Sequence, residues 1–200
     1  MKDEEIKKNM VHMKETDKTR KKYNRSSKLY DFMEFPIELL KYRHWRKKLF
    51  EKIQGPRVLE VGIGTGKNLK YYKKETSGFG IDLSEGMLSK AISAAKERGV
   101  NLIQMDVENL GFKDNSFDTV LTSFVFCSVP DPVKGLQEIR RVLKPGGVAL
   151  FIEHVLPESR FLRWLFNKLN ASTVAISGVH INRRTSENIR KAGFELDKDE

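Results

Sequence analysis

The residues with the clearest chemical signature are Glu60, Gly62, Gly64 and Gly66, which alternate with other residues in the stretch VLEVGIGTGKN, Val58 to Asn68. Glycines at that density let a backbone turn sharply and approach a ligand closely. They follow an apolar run, the place where a strand gives way to a helix and main-chain N–H groups face outward. Spacing narrows the ligand. A phosphate-cradling loop of the form GxxxxGK[ST] needs glycine where Val61 stands and a hydroxyl where Asn68 stands. A dinucleotide loop of the form GxGxxG, counted from Gly62, meets Lys67 at its third glycine. Two carboxylates follow at comparable places, Asp82 in GIDLS and Asp106 in QMDVENL, each after its own apolar run. The two acceptor oxygens of a carboxylate suit a pair of hydroxyls or an amino group.

The elements that must carry these residues alternate short apolar runs with longer amphipathic ones. Strands are expected at Val58–Val61, Gly78–Asp82, Asn101–Met105, Phe117–Ser123 and Val148–Glu153. Helices are expected over Lys67–Lys74, from a Ser84 cap to Arg98 with a stop at Gly99, and over Val133–Leu143 before Pro145-Gly146-Gly147. Alternation of this kind predicts an α/β fold, a doubly wound and mostly parallel sheet whose ligands bind at the carboxyl ends of the strands. Residues 1–26 read as a basic arm, flexible or helical, and 27–55 as an N-terminal helical cap in which Pro36 opens a second helix. The main domain is placed at 56–200, with a lid segment at about 156–182 where Phe161, Leu162, Trp164, Leu165, Phe166 and Leu169 alternate with Arg160, Arg163 and Lys168.

The pattern Glu-x-Gly-x-Gly-x-Gly, with Asp82 and Asp106 in register behind it, resembles the class I S-adenosylmethionine-dependent methyltransferases. The resemblance extends through FKDNSFDTVLTSFVFCSVPDPVKGLQEIRRVLKPGG and covers about residues 55 to 155. It implies a Rossmann-like methyltransferase fold with S-adenosyl-L-methionine as cofactor. Glu60, Gly62, Gly64 and Gly66 would bend around the cofactor's amino-acid and ribose portions, Asp82 would take the ribose hydroxyls, and Asp106 would meet the adenine amino group. Leu83 and Met87 would flank the ring, with Val107 and Ser123 completing the site. The family's sheet normally ends in an antiparallel strand pair, and after Lys191 sequence remains for one of the two, so either a shortened C-terminal pair or a truncated form is expected.

Within the class, YDFME (Tyr30 to Glu34), MDVENLGFKDNSFD and FCSVPDP are similar to bacterial phospholipid N-methyltransferases and quinone-biosynthesis C-methyltransferases. The phrases CSV and EHV are similar to a membrane-bound thiol methyltransferase family. Where enzymes acting on nucleobase or amide nitrogens carry [DN]PP[YFW], this chain has Ser123-Phe124-Val125-Phe126. Methyl transfer is an in-line displacement in which positioning does much of the work, so a conspicuous dyad is not required. Tyr30 and His154 are the catalytic candidates, with Cys127 and Glu153 also near the expected site and His180 farther along in the lid; a neutral amine or a thiolate would need no base at all.

Composition bounds the partners. Two hundred residues suit one core with an appendage. One cysteine excludes an internal disulfide, and no Cys/His cluster has metal-ligand spacing. The net charge of +10 favours an anionic partner, and basic residues beside aromatics suit an anionic membrane surface. The expectation is therefore a cytoplasmic, membrane-associated methyltransferase acting on a lipophilic small molecule, with a phospholipid amine placed first. A quinone precursor or thiol, an RNA suggested by KTRKKYNRSSK, and a noncatalytic binding protein are the alternatives.

Overall fold

The computed structural model describes residues 2–37, 42–153, 159–177, 180 and 182–197, with some side chains of the first and fifth helices outside that description. Five strands form one sheet: β1 (Arg57–Val61), β2 (Ser77–Asp82), β3 (Val100–Gln104), β4 (Phe117–Ser123) and β5 (Leu143–Ile152). Their order is β3-β2-β1-β4-β5, and every pairing is parallel. The chain builds outward from β1 to β3, then returns to the other side of β1 for β4. Strand order reverses at that point, and the loops leaving β1 and β4 diverge there to open a crevice.

Alternation along the strands divides the interior into two layers. Leu59 and Val61 of β1 join Phe117, Val120, Leu136 and Ile139 on one face. Val58 joins Ile63, Leu88, Ala91, Val100 and Leu121 on the other. Burial on both faces is what a parallel sheet requires, and it explains the unbroken apolar character of the runs. The first layer is covered by α4 (Pro132–Val142) and α6 (Thr185–Lys191), the second by α2 (Arg43–Glu51) and α3 (Glu85–Arg98). Capping follows the expected chemistry: Ser84 Oγ accepts from Met87 N, Asp131 accepts from Lys134 N, and Gly99 takes the left-handed conformation after Arg98.

Several elements depart from expectation. The helix expected over Lys67–Lys74 is a single 3₁₀ turn, Leu69–Tyr71. Lys73, Lys74 and Glu75 are exposed and bring nothing to bury, so the turn does not propagate. Pro36 does not open a second helix. It sits in the last turn of α1 (Lys2–Ile37), which runs unbroken across residues 26 and 27. On α1, Asp17 pairs with Lys21 at 2.6 Å and with Arg20, and Lys22 Nζ donates to the carbonyl of Val174 on α5 (Arg160–Ser177). The strand expected to start at Val148 begins at Leu143, directly from the end of α4, with a register shift between its Phe117 and Thr119 pairings. No strand follows β5 among the described residues. Phe194 instead lays its ring against Phe151 at 6.0 Å.

Candidate active site

The glycine loop leaves β1 at the switch point. Gly62, Gly64 and Gly66 all lie at positive φ, 68°, 58° and 85°. A Cβ at Gly62 would stand 2.3 Å from Val125 Cγ2, so the loop after β4 packs against bare backbone. Gly64 has open space beside it and turns its N–H inward, donating to Asp82 Oδ2 at 3.0 Å. Asp82 Oδ1 accepts from Ser84 N at 2.8 Å. Burial pushes the Asp82 carboxyl up, and these two amides oppose the shift. Each oxygen keeps a second lone pair, the requirement for accepting two ribose hydroxyls.

The tips of β2 and β3 adjoin: Met105 N donates to the Asp82 carbonyl at 3.0 Å, bringing Asp106 next to Asp82. Asp106 Oδ1 accepts from Glu108 N at 2.9 Å. Gly62, Gly64, Asp82, Leu83, Met87, Asp106, Val107 and Ser123 line one cavity. Among the described residues the lining holds two carboxylates and no lysine or arginine. Such a wall repels phosphate and favours a ligand that carries positive charge. The residues fit S-adenosylmethionine, a sulfonium nucleoside without phosphate: carboxylates for its hydroxyls and amino group, Leu83, Met87, Met105 and Val107 for its ring, and backbone at Gly62 and Gly64 for its amino-acid end.

Glu60 does not reach the cavity. It is buried beneath the loop, where Asn68 Nδ2 donates to Oε1 at 2.7 Å and the Tyr72 hydroxyl to Oε2 at 3.0 Å. Burial raises its carboxyl to about 7 despite those donors. Asn68 also donates to Ser123 Oγ and accepts from Arg46 Nη1 at 2.8 Å, so α2 is tied through Asn68 to the base of both loops. Gly66 likewise lies off the cavity; its φ and the 2.6 Å from its Cβ position to Leu69 Cδ1 make it a packing glycine.

The wall opposite the glycine loop is built by residues the sequence reading did not assign to the site. Phe124 has φ 60°, a conformation a bulky side chain rarely adopts. It is held by its neighbours. Phe124 N donates to the Ile152 carbonyl at 2.7 Å, and Glu153 Oε1 accepts from Val125 N, Phe126 N and Thr122 Oγ1 at 2.9, 3.3 and 3.1 Å. Burial raises the Glu153 carboxyl to about 7. The Phe124 ring packs tilted against Tyr42, centroids 4.3 Å apart, with the Arg46 guanidinium 5.6 Å from its centroid. Thr19 and Tyr23 of α1 close the cavity from above. Nothing in the unpatterned basic arm marked those two, because their role depends on where the helix crosses.

The catalytic candidates meet different fates. His154 lies outside the described residues, and Tyr30 lies on α1 with its side chain outside them. Cys127 is buried, donates Sγ to the Phe124 carbonyl at 3.4 Å and stays off the cavity wall. His180 binds through its backbone, N to the Cys127 carbonyl at 2.9 Å, and burial holds its ring below the ordinary value. Glu153 serves the loop rather than facing the cavity.

Comparison with known proteins agrees with this geometry. The model of the methyltransferase domain family matches residues 59–151. Phosphatidylethanolamine N-methyltransferase of Cereibacter sphaeroides is 40% identical over 105 residues, 50% of this chain and 52% of that protein. Demethylmenaquinone methyltransferase of Geobacillus kaustophilus is 30% identical over 184 residues, 82% of this chain and 79% of that protein. The match therefore spans about half the length of the first relative and about four fifths of the second. A solved S-adenosylmethionine-dependent methyltransferase of Thermotoga maritima superposes with a TM-score of 0.67 at 27% identity, over 89% of this chain and 82% of that one. The chain belongs to the class I S-adenosylmethionine-dependent methyltransferases, in the group that includes the phosphatidylethanolamine and demethylmenaquinone enzymes.

Proposed function

We propose that the protein transfers a methyl group from S-adenosylmethionine to a lipophilic acceptor at a membrane surface, with the amine of a phospholipid as that acceptor. The observation that carries the lipid reading is the outer face of α5. Phe161 and Trp164 are 67% and 52% exposed, their rings stack at 6.1 Å, and Lys168 Nζ sits 4.4 Å from the Trp164 centroid. The helix has no acidic residue. Aromatic rings with adjacent cations and no counter-charge suit the headgroup region of an anionic bilayer. Lys22, which fastens α5 to α1, precedes Tyr23 of the cavity, so the face is tied to the helix that covers the site. No described helix is long and apolar enough to cross a membrane, so contact through a helix face is the mode this reading requires.

Chemically, bound S-adenosylmethionine supplies an electrophilic methyl carbon. The protein holds the nucleoside at Asp82 and Asp106 and presents Phe124 and Tyr23 where an acceptor would enter. The amine can rest as ammonium against those aromatic faces, and it must shed a proton to solvent before its nitrogen lone pair can take the methyl group. Demethylated quinone is the second reading, supported by the relatives that bear that name. Incubation with methyl-labelled S-adenosylmethionine and vesicles containing phosphatidylethanolamine should label the lipid. Label confined to quinone extracts would favour the second reading, and label in RNA would remove both.

A further inference from the structure

Thr19 and Tyr23 of α1 form part of the cavity wall, yet among the described residues α1 contributes nothing to either core layer. Its apolar Met10, Val11 and Met13 are exposed. Polar contacts tie the helix down at intervals: His12 Nε2 stands 2.5 Å from Glu108 Oε2, and Lys22 Nζ donates to the Val174 carbonyl at 3.0 Å. A further tie is Asn24, next to Tyr23 in sequence. Its Oδ1 accepts from Ser84 Oγ at 2.6 Å and from Gly86 N at 3.0 Å. Segments held by polar contacts rather than by core packing open at much lower cost than the sheet beneath them.

Both donors to Asn24 belong to the turn that holds the nucleoside. Ser84 is fully buried; its N donates to Asp82 Oδ1 at 2.8 Å and its Oγ accepts from Met87 N at 3.1 Å, which leaves the hydroxyl proton for Asn24. Gly86 N lies in the first turn of α3, where N–H groups have no partner within the helix. Asn24 supplies that partner from a separate helix. Gly86 also permits the approach: a Cβ there would stand 3.1 Å from Asn24 Cα and 3.1 Å from Ser27 Oγ, tighter than ordinary contact. Asp82 and Met87 line the cavity, so a nucleoside seated against them fixes the turn on which Asn24 docks. Two binding events that order the same turn favour each other, and the coupling is reciprocal.

We propose that Asn24 is a positioning residue that latches α1 onto the ribose turn, so that bound S-adenosylmethionine and seated α1 hold each other in place and cofactor exchange requires α1 to lift. Asn24 lies off the cavity wall and acts through Ser84, Gly86 and its helix neighbours Thr19 and Tyr23. The latch serves any acceptor, and so stands or falls separately from the phospholipid reading.

The test combines calorimetric affinity for S-adenosylmethionine, its dissociation rate by stopped flow, and backbone hydrogen exchange of residues 16–27, all without acceptor. In the unsubstituted protein the cofactor should slow exchange across that segment about tenfold. Asn24→Ala leaves the Ser84 hydroxyl and Gly86 N without their acceptor; it should raise Kd about tenfold, chiefly through faster dissociation, and abolish the cofactor's protection of α1. Asn24→Asp keeps an acceptor oxygen for both donors and should stay within about threefold of the unsubstituted protein. Gly86→Leu should match Asn24→Ala, because leucine suits a helix but occupies the seat of α1. The sheet should melt cooperatively in every variant. Affinity within about twofold in both Asn24→Ala and Gly86→Leu, or exchange in α1 indifferent to the cofactor, overturns the latch. So does an Asn24→Asp protein as weak as Asn24→Ala, or a loss of affinity accompanied in every variant by loss of cooperative melting, which marks a merely structural role.

Discussion

Replacing Asp82 by alanine tests the centre of the site. The carboxylate accepts from Gly64 N and Ser84 N and is placed to accept from two ribose hydroxyls. A hydrogen bond to a charged acceptor is worth about 1.5–3 kcal/mol, so losing both ribose bonds weakens cofactor binding by about 3–6 kcal/mol, or roughly 100-fold to 10,000-fold in Kd. Stability should change far less. Removing the side chain leaves two amides without their acceptor, but it also removes a carboxylate that burial disfavours, as the upward direction of its pKa shows. The effect should therefore appear in titration calorimetry with S-adenosylmethionine while the melting temperature moves by only a few degrees. Asp82→Asn keeps one acceptor oxygen and sets an amide donor against one of the two N–H groups, so it should fall between. A folded Asp82→Ala protein whose Kd rises less than about threefold would refute the assignment of the nucleoside to this cleft.

Other perturbations separate scaffold from site. Gly62→Ala forces a Cβ to 2.3 Å from Val125 at positive φ; we expect a destabilisation of about 2–4 kcal/mol by denaturant titration together with loss of cofactor binding. Asn68→Leu leaves Glu60 and Arg46 without the side chain that joins them and should destabilise by about 3 kcal/mol or more; a change under about 1 kcal/mol would show the network to be dispensable. Glu60 and Glu153 hold their protons more tightly folded than unfolded, from an ordinary 4.5 to about 7, so stability is highest below that window and declines as pH rises through it, by about 3 kcal/mol per group at most. Glu153→Gln should flatten the measured pH dependence between about 5 and 7, and an unaltered slope would count against its burial as the cause. Phe161→Ser combined with Trp164→Ser should lower recovery with anionic vesicles about tenfold in co-sedimentation while cofactor affinity stays unchanged.

What could be read in advance was whatever depends on neighbours along the chain. Alternating apolar runs specify a sheet buried on both faces, Ser84 and Gly99 bracket a helix through local hydrogen bonding and backbone freedom, and glycines at 62, 64 and 66 announce a bend. Those are short-range constraints, and Asp82 and Asp106 follow from them because the first ends its strand and the second lies two residues beyond the end of its own. Only the tertiary structure could decide that Glu60 turns away from the cavity to meet Asn68, Tyr72 and, through Asn68, Arg46, or that Glu153 clamps a loop 28 residues earlier in the chain. It alone brings Thr19 and Tyr23 over the nucleoside site and ties Arg183 to the carbonyl of Val129. A lone polar residue in a basic helix or a C-terminal turn has no period or spacing to declare its partner, because the partner is chosen by how separate elements cross once their apolar faces have been buried.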